Sequence, residues 1–290
     1  MMKKREEYGM MNNMKEKGDF MSRPLLMDNH MHTTVSGDSR APAEELCRSA
    51  VEKGFSIITF TDHCEVDKVP EDFNRMLVSL TQQLCTDMRC QFPQVTILFG
   101  TEIGQMVQFP RRAQQIVEEF PLDFVLASLH NTKGYDDFSA INYLDPAFNI
   151  AAMFETHYRE MLVMAQTGDF DSLAHLTYPF RYLANFPELT VDKNQFDDII
   201  DEILKAVVAR GKALEINTSG LRQKIGETLP GKKFLTRYRE LGGELLTIGS
   251  DAHLPGDLGA GVEQGYALAQ ACGFTHIAYY RQRKPLLVKL

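Results

Sequence analysis

Six of the eight histidines in this sequence stand within or just beyond the C-terminal end of a short apolar run. His30 and His32 follow LLMDN, His63 follows SIITFTD, His130 follows FVLASL, His175 lies inside SLAHL and His253 follows LLTIGSDA. Carboxylates hold similar places: Glu102 after VTILFGT, Asp251 in GSDAH and Asp38 in the stretch after His32. Imidazole nitrogen and carboxylate oxygen are ligands for divalent transition ions, and the spacing suits that use. Residues i and i+2 of a strand face one side, roughly 6.6–7 Å apart along the chain. His30-x-His32 can therefore close on one ion at about 2.0–2.1 Å per nitrogen, and Asp251-x-His253 repeats the spacing. A single histidine at a strand end is most simply a hydrogen-bonded polar residue. Six arriving with three acids point to a shared metal centre.

Such a centre would carry a charge opposite to that of the chain. The 290 residues sum to −8, with 31 Lys and Arg against 39 Asp and Glu. A sequence-independent nucleic-acid binder usually has the reverse balance, and no basic run stands out, so no nucleic-acid partner is expected. Three carboxylates against three divalent ions leave a positive pocket, and one bound hydroxide lowers it to the charge that complements a phosphate monoester dianion. The expected partner is a small-molecule phosphate ester.

No stretch of about 18 apolar residues is present, so no membrane helix is expected. The opening MMKKREEYGM lacks an apolar segment after its charges, unlike a secretory signal. Five cysteines without a CxxC pair read as reduced thiols in a cytoplasmic protein. Cys64, beside His63, reads as a small strand-end residue rather than a nucleophile.

The elements that must position the ligands alternate along the chain. Short apolar runs cover 25–27, 56–60, 95–99, 124–128, 172–176, 213–217 and 245–249, each mostly continuous in the manner of buried parallel strands. Amphipathic stretches lie between them: 43–53, 73–89, 111–120, 146–166, 196–210, 234–241 and 262–271, several followed by a glycine that stops a helix. Seven strand–helix alternations without a break in composition predict one α/β domain closed as a barrel, in which the C-terminal strand ends share one rim. That rim is where the histidines fall. The polar, Met-rich residues 1–22 are expected to be an N-terminal extension, and 23–290 the barrel domain. The end, HIAYYRQRKPLLVKL, reads as a terminal hairpin or strap, and His157 and His276 fall away from the rim.

The segments DNHMHTTVSGDS, TFTDHCE, GTEIG, ASLH, LAHL, EINTSGLR and GSDAH resemble the polymerase and histidinol phosphatase (PHP) superfamily, and within it the histidinol phosphatase branch. The resemblance spans roughly 25–290. It implies a distorted (β/α)7 TIM-like barrel with three divalent ions, drawn from zinc, manganese and iron. By that likeness His30, His32, Glu102 and Asp251 hold the first ion; Glu102, His130 and His175 hold the second, with Glu102 bridging; and Asp38, His63 and His253 hold the third. Some relatives have histidine where this chain has Asp38, and carboxylate shifts preference towards harder ions.

The activity implied is hydrolysis of L-histidinol phosphate to L-histidinol and phosphate, a step of histidine biosynthesis, through attack by metal-bound hydroxide with Glu102, Asp251 and His253 at the catalytic centre. Arg181 and Arg222, in expected rim loops, are candidate phosphate clamps, since guanidinium forks two donors onto a phosphate. Lys133 is a third candidate cation, and Asp136, Asp137 and Glu215 are candidates for meeting the substrate's ammonium or imidazole. Rival readings are a PHP phosphatase for a phosphotyrosine protein, nucleotide or sugar phosphate; a phosphodiesterase or exonuclease; an amidohydrolase-type enzyme; and a catalytically inert barrel. A monomer or homodimer is expected.

Overall fold

In the computed structural model the described residues are 25–290, and the expected extension over 1–22 lies outside them. The apolar runs become strands buried on both faces, as a parallel sheet covered by helices requires. In chain order the elements are β1 (Met27–Met31), α1 (Ala43–Glu52), β2 (Ile57–Phe60), β3 (His63–Glu65), α2 (Glu71–Gln91), β4 (Thr96–Gly104), α3 (Pro110–Glu119), β5 (Phe124–Ser128) and α4 (Ile150–Thr167). They continue with β6 (Ser172–Leu173), α5 (Tyr178–Leu183), α6 (Asp197–Ala209), β7 (Ala213–Asn217), α7 (Lys232–Glu240), β8 (Leu246–Gly249), α8 (Val262–Ala271), β9 (His276–Arg281) and β10 (Lys284–Lys289).

The strands pair in parallel in the order β1-β2-β4-β5-β6-β7-β8. β2 lies against Thr96–Phe99 and β3 against Glu102–Gly104 of the same neighbour, so the two form one interrupted stave. A bridge between Met31 and Ala252 closes the ring, supported by His32 N–H donating to Ala252 O at 2.9 Å and Asp251 N–H to His30 O at 2.7 Å. The result is the expected seven-stave α/β barrel.

Hydropathy misplaced some strand limits, and the largest differences fall at the rim, where β6 ends at Leu173 rather than 176 and leaves His175 beyond the strand. The first strand is 27–31 rather than 25–27, so it contains His30. The run at 95–99 continues as strand to Gly104 and carries Glu102 inside it. Both extensions bury polar side chains whose partners lie on other staves, as Asn29 on Ile248 O and Thr101 on Asp62 O show. β3 and the six-residue α5 went unpredicted because both are too short and mixed to show a period.

Helix limits follow local signals. α1 buries Leu46, Cys47 and Ala50 between Pro42 and Gly54, the glycine in the left-handed region at φ 76°. α6 buries Ile200, Ile203, Leu204 and Val207 and is followed by Gly211 at φ 61°. The chain end is the hairpin β9–β10. Its Ala278 and Tyr280 pack on Phe124, Leu126 and Ala213, which plugs the N-terminal end of the barrel. The bowl therefore opens only towards the rim. The five cysteines are free, four of them buried. No helix among the described residues is long and apolar enough to cross a membrane.

His157 sits on the buried face of α4, edge-on to Phe138 and Tyr158, with neither ring nitrogen hydrogen-bonded. Burial, reinforced by His175 and His130, pushes its pKa down to about 3. The unfolded chain binds this proton near pH 6.5 and the native chain does not, so the contribution to stability is whole above pH 6.5 and shrinks as pH falls towards 3. His157→Leu is expected to remove about 2 kcal/mol of the stability lost between pH 7 and pH 5, at about 1.4 kcal/mol per unit below 6.5. Denaturant midpoints of both proteins at the two pH values check this, and identical losses would rule it out.

Candidate metal centre

The barrel gathers the histidines and acids into one bowl. His30 and His32 leave β1 on the same side, with their Nε2 atoms 3.0 Å apart. Glu102 rises from β4 between them and the far wall. Its Oε2 lies 3.5 Å from Nε2 of both His30 and His32, while its Oε1 lies 3.2 Å from His130 Nε2 and 3.0 Å from His175 Nε2. Asp251 Oδ1 is 3.6 Å from His30 Nε2 and 3.4 Å from His32 Nε2. Asp38 Oδ2 stands 3.4 Å from His63 Nε2 and 3.3 Å from His253 Nε2. Two ligand atoms bound tetrahedrally at about 2.0–2.1 Å from one ion lie about 3.3 Å apart, so these separations could accommodate shared ions. The structure thus brings the nine candidate ligands into one bowl, and of the close triads of ligand atoms His30 with His32 and Asp251 falls within one grouping that the resemblance implies. Close triads of ligand atoms also link neighbouring groupings, notably His32 with His63 and His253, and His63 with Glu102 and His130.

The tautomers point the same way. Four imidazoles tie down Nδ1 and offer Nε2 to the bowl: His30 to Glu215 Oε1 at 2.6 Å, His32 to Ser36 Oγ at 3.1 Å, His130 to Glu65 Oε1 at 2.7 Å and His253 to Asp251 O at 3.1 Å. Anchoring one nitrogen this way orients a metal-binding imidazole and raises its basicity. Glu102 Oε2, fully buried, makes no well-aligned hydrogen bond, and the nitrogen nearest to it, His63 Nδ1 at 2.9 Å, is equally unpartnered. A buried carboxylate oxygen left bare among lone pairs is costly unless a cation meets it, and the residues present fit such a cation.

Charge coupling inside the bowl is strong. Burial works against ionised Glu102, yet His130, His30 and His63 hold its pKa well below the usual carboxylate range. Burial also opposes the His30 cation, but Glu215, Asp251 and Glu102 raise its pKa well above normal. His32 goes the other way, lowered by burial and by His63. Protons and metal ions would compete for these nitrogens.

Backbone strain marks the same places. Asp251 (φ 55°) and His175 (φ 23°) occupy the left-handed region without being glycine. Each is held by its amide, Asp251 by the His30 carbonyl and His175 by Glu215 Oε2 at 2.8 Å. Gly249 meets the opposite need, because a Cβ there would collide with the His30 Cβ and Glu215. Only glycine lets β8 lie this close to β1.

Two supporting residues were not foreseen. Glu65, at the end of β3, orients His130. Asn217 donates to Glu215 Oε2 and Asp251 Oδ2, both at 3.3 Å. The TFTDHCE and EINTSGLR motifs contained both, but no spacing rule distinguishes a supporting acid or amide from a ligand. Glu215 does not face the substrate space: it lies behind His30, 1% exposed, as an orienting acid, and is not among the cavity-lining residues.

A cavity of about 710 Å³ covers the bowl. Arg181, from α5, stacks on Tyr178 (4.1 Å to the ring centre) and Tyr182 (4.9 Å), with a terminal nitrogen 4.0 Å from Asp251 Oδ2. Arg222 donates to Asp251 O at 3.0 Å. Both guanidinium groups thus stand at the cavity's edge beside Asp251. Lys133 does not: it is exposed, is absent from the lining, and its amide donates to Glu160. The lysine that lines the cavity, beside Arg181 and Arg222, is Lys68. Asp136 is exposed and also absent from the lining, whereas Asp137 belongs to it. Burial pushes the Cys64 thiol up, away from thiolate.

Comparison with known proteins adds an independent view. The family model described as PHP domain matches residues 28–219. A protein named "Probable histidinol-phosphatase" from Clostridium acetobutylicum is 28% identical over 272 residues, covering 89% of this chain and 98% of that one. A protein of the same name from Thermotoga maritima is 30% identical over 260 residues, covering 87% and 95%. The crystal structure of histidinol phosphate phosphatase from Lactococcus lactis, complexed with zinc, L-histidinol and phosphate, superposes with a TM-score of 0.77 at 22% identity, over 90% of this chain and 99% of that one.

Proposed function

Because this chain belongs to the PHP domain family, we propose that its rim holds three divalent ions, drawn from zinc, manganese and iron, and hydrolyses L-histidinol phosphate to L-histidinol and phosphate. The observation that carries the reading is the bowl itself, in which nine ligand groups converge and four imidazoles are tied through Nδ1 with Nε2 facing inward. His30, His32, Glu102 and Asp251 would hold one ion, Glu102, His130 and His175 the second, and Asp38, His63 and His253 the third. Bound there, the ions supply hydroxide near neutral pH and neutralise phosphoryl charge.

The chain's own residues do the rest. Glu102 reaches imidazoles of all three groupings, so one side chain ties them together. Arg181, from α5, and Arg222, from the turn after β7, converge on Asp251 and would clamp the phosphoryl oxygens. The tyrosine stack pre-sets Arg181, so little of its freedom is lost when an ester binds. Water replaces the ester oxygen at phosphorus and the departing alkoxide takes up a proton. Names of the similar proteins from Clostridium and Thermotoga, and the ligands in the Lactococcus structure, support the choice of substrate. That set also supports a place in histidine biosynthesis.

The test pairs elemental analysis of protein purified without chelator with a phosphatase panel. About three transition ions per chain and faster release from L-histidinol phosphate than from p-nitrophenyl phosphate, phosphotyrosine, a nucleotide or a sugar phosphate are expected. At most one ion under metal-replete conditions would sink the three-ion centre, and an even panel would sink the substrate.

A further inference from the structure

Six carboxylates line the cavity, and five are committed. Asp38, Glu102 and Asp251 face imidazoles, Glu65 is bound to His130, and Asp257 lies 3.5 Å from Arg222 Nε. The sixth, Asp137, is held differently. Its Oδ1 accepts from Ser139 N–H at 2.9 Å and Ser139 Oγ–H at 2.6 Å, which fixes the carboxylate plane. Its Oδ2 accepts only from Lys68 Nζ, at 2.7 Å. Lys68 comes from the β3–α2 loop and Asp137 from the β5–α4 loop, with side chains 37% and 26% exposed. Such a half-wet pair between a flexible lysine and another loop contributes little to stability and is cheap to open.

Its placement matters. Asn131 and Asp137 form an antiparallel bridge, and Phe138 N–H donates to His130 O at 3.1 Å. The loop therefore doubles back on His130, and Asp137 stands next to the metal bowl rather than at the far lip. The same cavity has an apolar wall of Val35, Val69, Phe73 and Leu77. An anion-seeking bowl, apolar lining and one replaceable carboxylate suit a phosphate ester whose alcohol carries an apolar part and a cation.

We propose that Asp137 is the specificity residue for a cationic leaving group: its Oδ2 exchanges the Lys68 ammonium for the substrate's ammonium, while Ser139 holds the carboxylate in place. This rests on the phosphomonoesterase reading for its substrate class, but it is testable without turnover. Lys68 is the competitor in the free enzyme, and Asp67 and Glu65 are within its electrostatic reach when displaced.

The experiment compares the metal-loaded wild type, Asp137→Asn and Lys68→Met. Calorimetry measures binding of L-histidinol and of its analogue lacking the amine. Steady-state kinetics then compare 2-aminoethyl phosphate with ethyl phosphate. Wild type is expected to bind L-histidinol about tenfold or more tighter than the analogue, the scale of a charge-assisted hydrogen bond. Asp137→Asn is expected to lose most of that ratio, and the aminoethyl-to-ethyl preference should fall mainly through KM. Lys68→Met keeps or enlarges both ratios, since the competitor is gone. A wild type that binds both alcohols equally, an Asp137→Asn protein that keeps the full ratio, or a Lys68→Met protein that loses it would each overturn the proposal. If the amine ratio depends on Asp137 but L-histidinol phosphate is no better than the rest of the panel, the substrate named above fails and the cation subsite stands.

Discussion

Glu102→Gln is expected to lower phosphatase turnover by about 10³-fold or more and to reduce bound metal by at least one ion per chain. Loss of an orienting partner alone typically costs 10–100-fold in metal affinity or activity, and Glu102 is placed to do more than orient. Its two oxygens face different groupings, Oε1 towards His130 and His175 and Oε2 towards His30, His32 and His63. Glutamine preserves the shape but replaces one oxygen with an amide that cannot ligate, and it removes the negative charge that holds several buried imidazoles. Arg181→Ala offers the comparison. Arg181 stacks on two tyrosines and stands beside Asp251, so its loss should cost about 10²-fold, the scale of one charge-stabilising donor, while metal content stays whole. Elemental analysis with kinetics on one ester reads both variants. Equal losses of activity, or an intact metal count in Glu102→Gln, would remove the bridging role.

Much of this was legible in the sequence because it depends on where residues stand relative to apolar runs. Imidazoles and acids at strand ends were enough to place the rim, and the barrel's closure then followed from parallel strands alternating with helices. What stayed hidden depends on contacts across the barrel. Glu65 and Glu215 look like any other acid, and only the fold shows that each sits behind an imidazole. Lys133 had the right charge and neighbourhood but points to solvent, and Lys68 on a different loop faces the cavity instead. Loop side chains take their direction from long-range packing, on which linear spacing carries no information. The strand that carries Glu102 was read short for a related reason: hydropathy sees a polar residue as a strand's end, whereas here polar partners bury it.

Asp62→Ala is expected to destabilise the protein by about 4 kcal/mol, or roughly 8–16 °C in Tm, and to weaken metal binding although Asp62 is not a candidate ligand. Asp62 sits at the interruption between β2 and β3, 3% exposed. Its carboxylate accepts from Thr33 N–H at 2.6 Å, Thr33 Oγ at 2.8 Å, Ser36 Oγ at 2.9 Å and Thr81 Oγ at 2.7 Å. Alanine leaves these donors without their acceptor, at about 1–3 kcal/mol for each that water does not reach. The metal effect follows from Ser36. Because its hydroxyl proton goes to Asp62, its lone pairs are free to accept from the His63 amide at 3.0 Å and from His32 Nδ1 at 3.1 Å. That bond keeps the His32 proton on Nδ1 and the Nε2 lone pair towards the bowl. Without Asp62 the serine can turn, and His32 loses the partner that fixes its tautomer. Melting in the presence of a chelator isolates the structural part, since bound ions add stability by mass action, and metal titration reads the other. A loss below about 1 kcal/mol, with metal affinity unchanged, would show that Thr33, Ser36 and Thr81 find other acceptors and that the loop carrying Asp38 is held by something else.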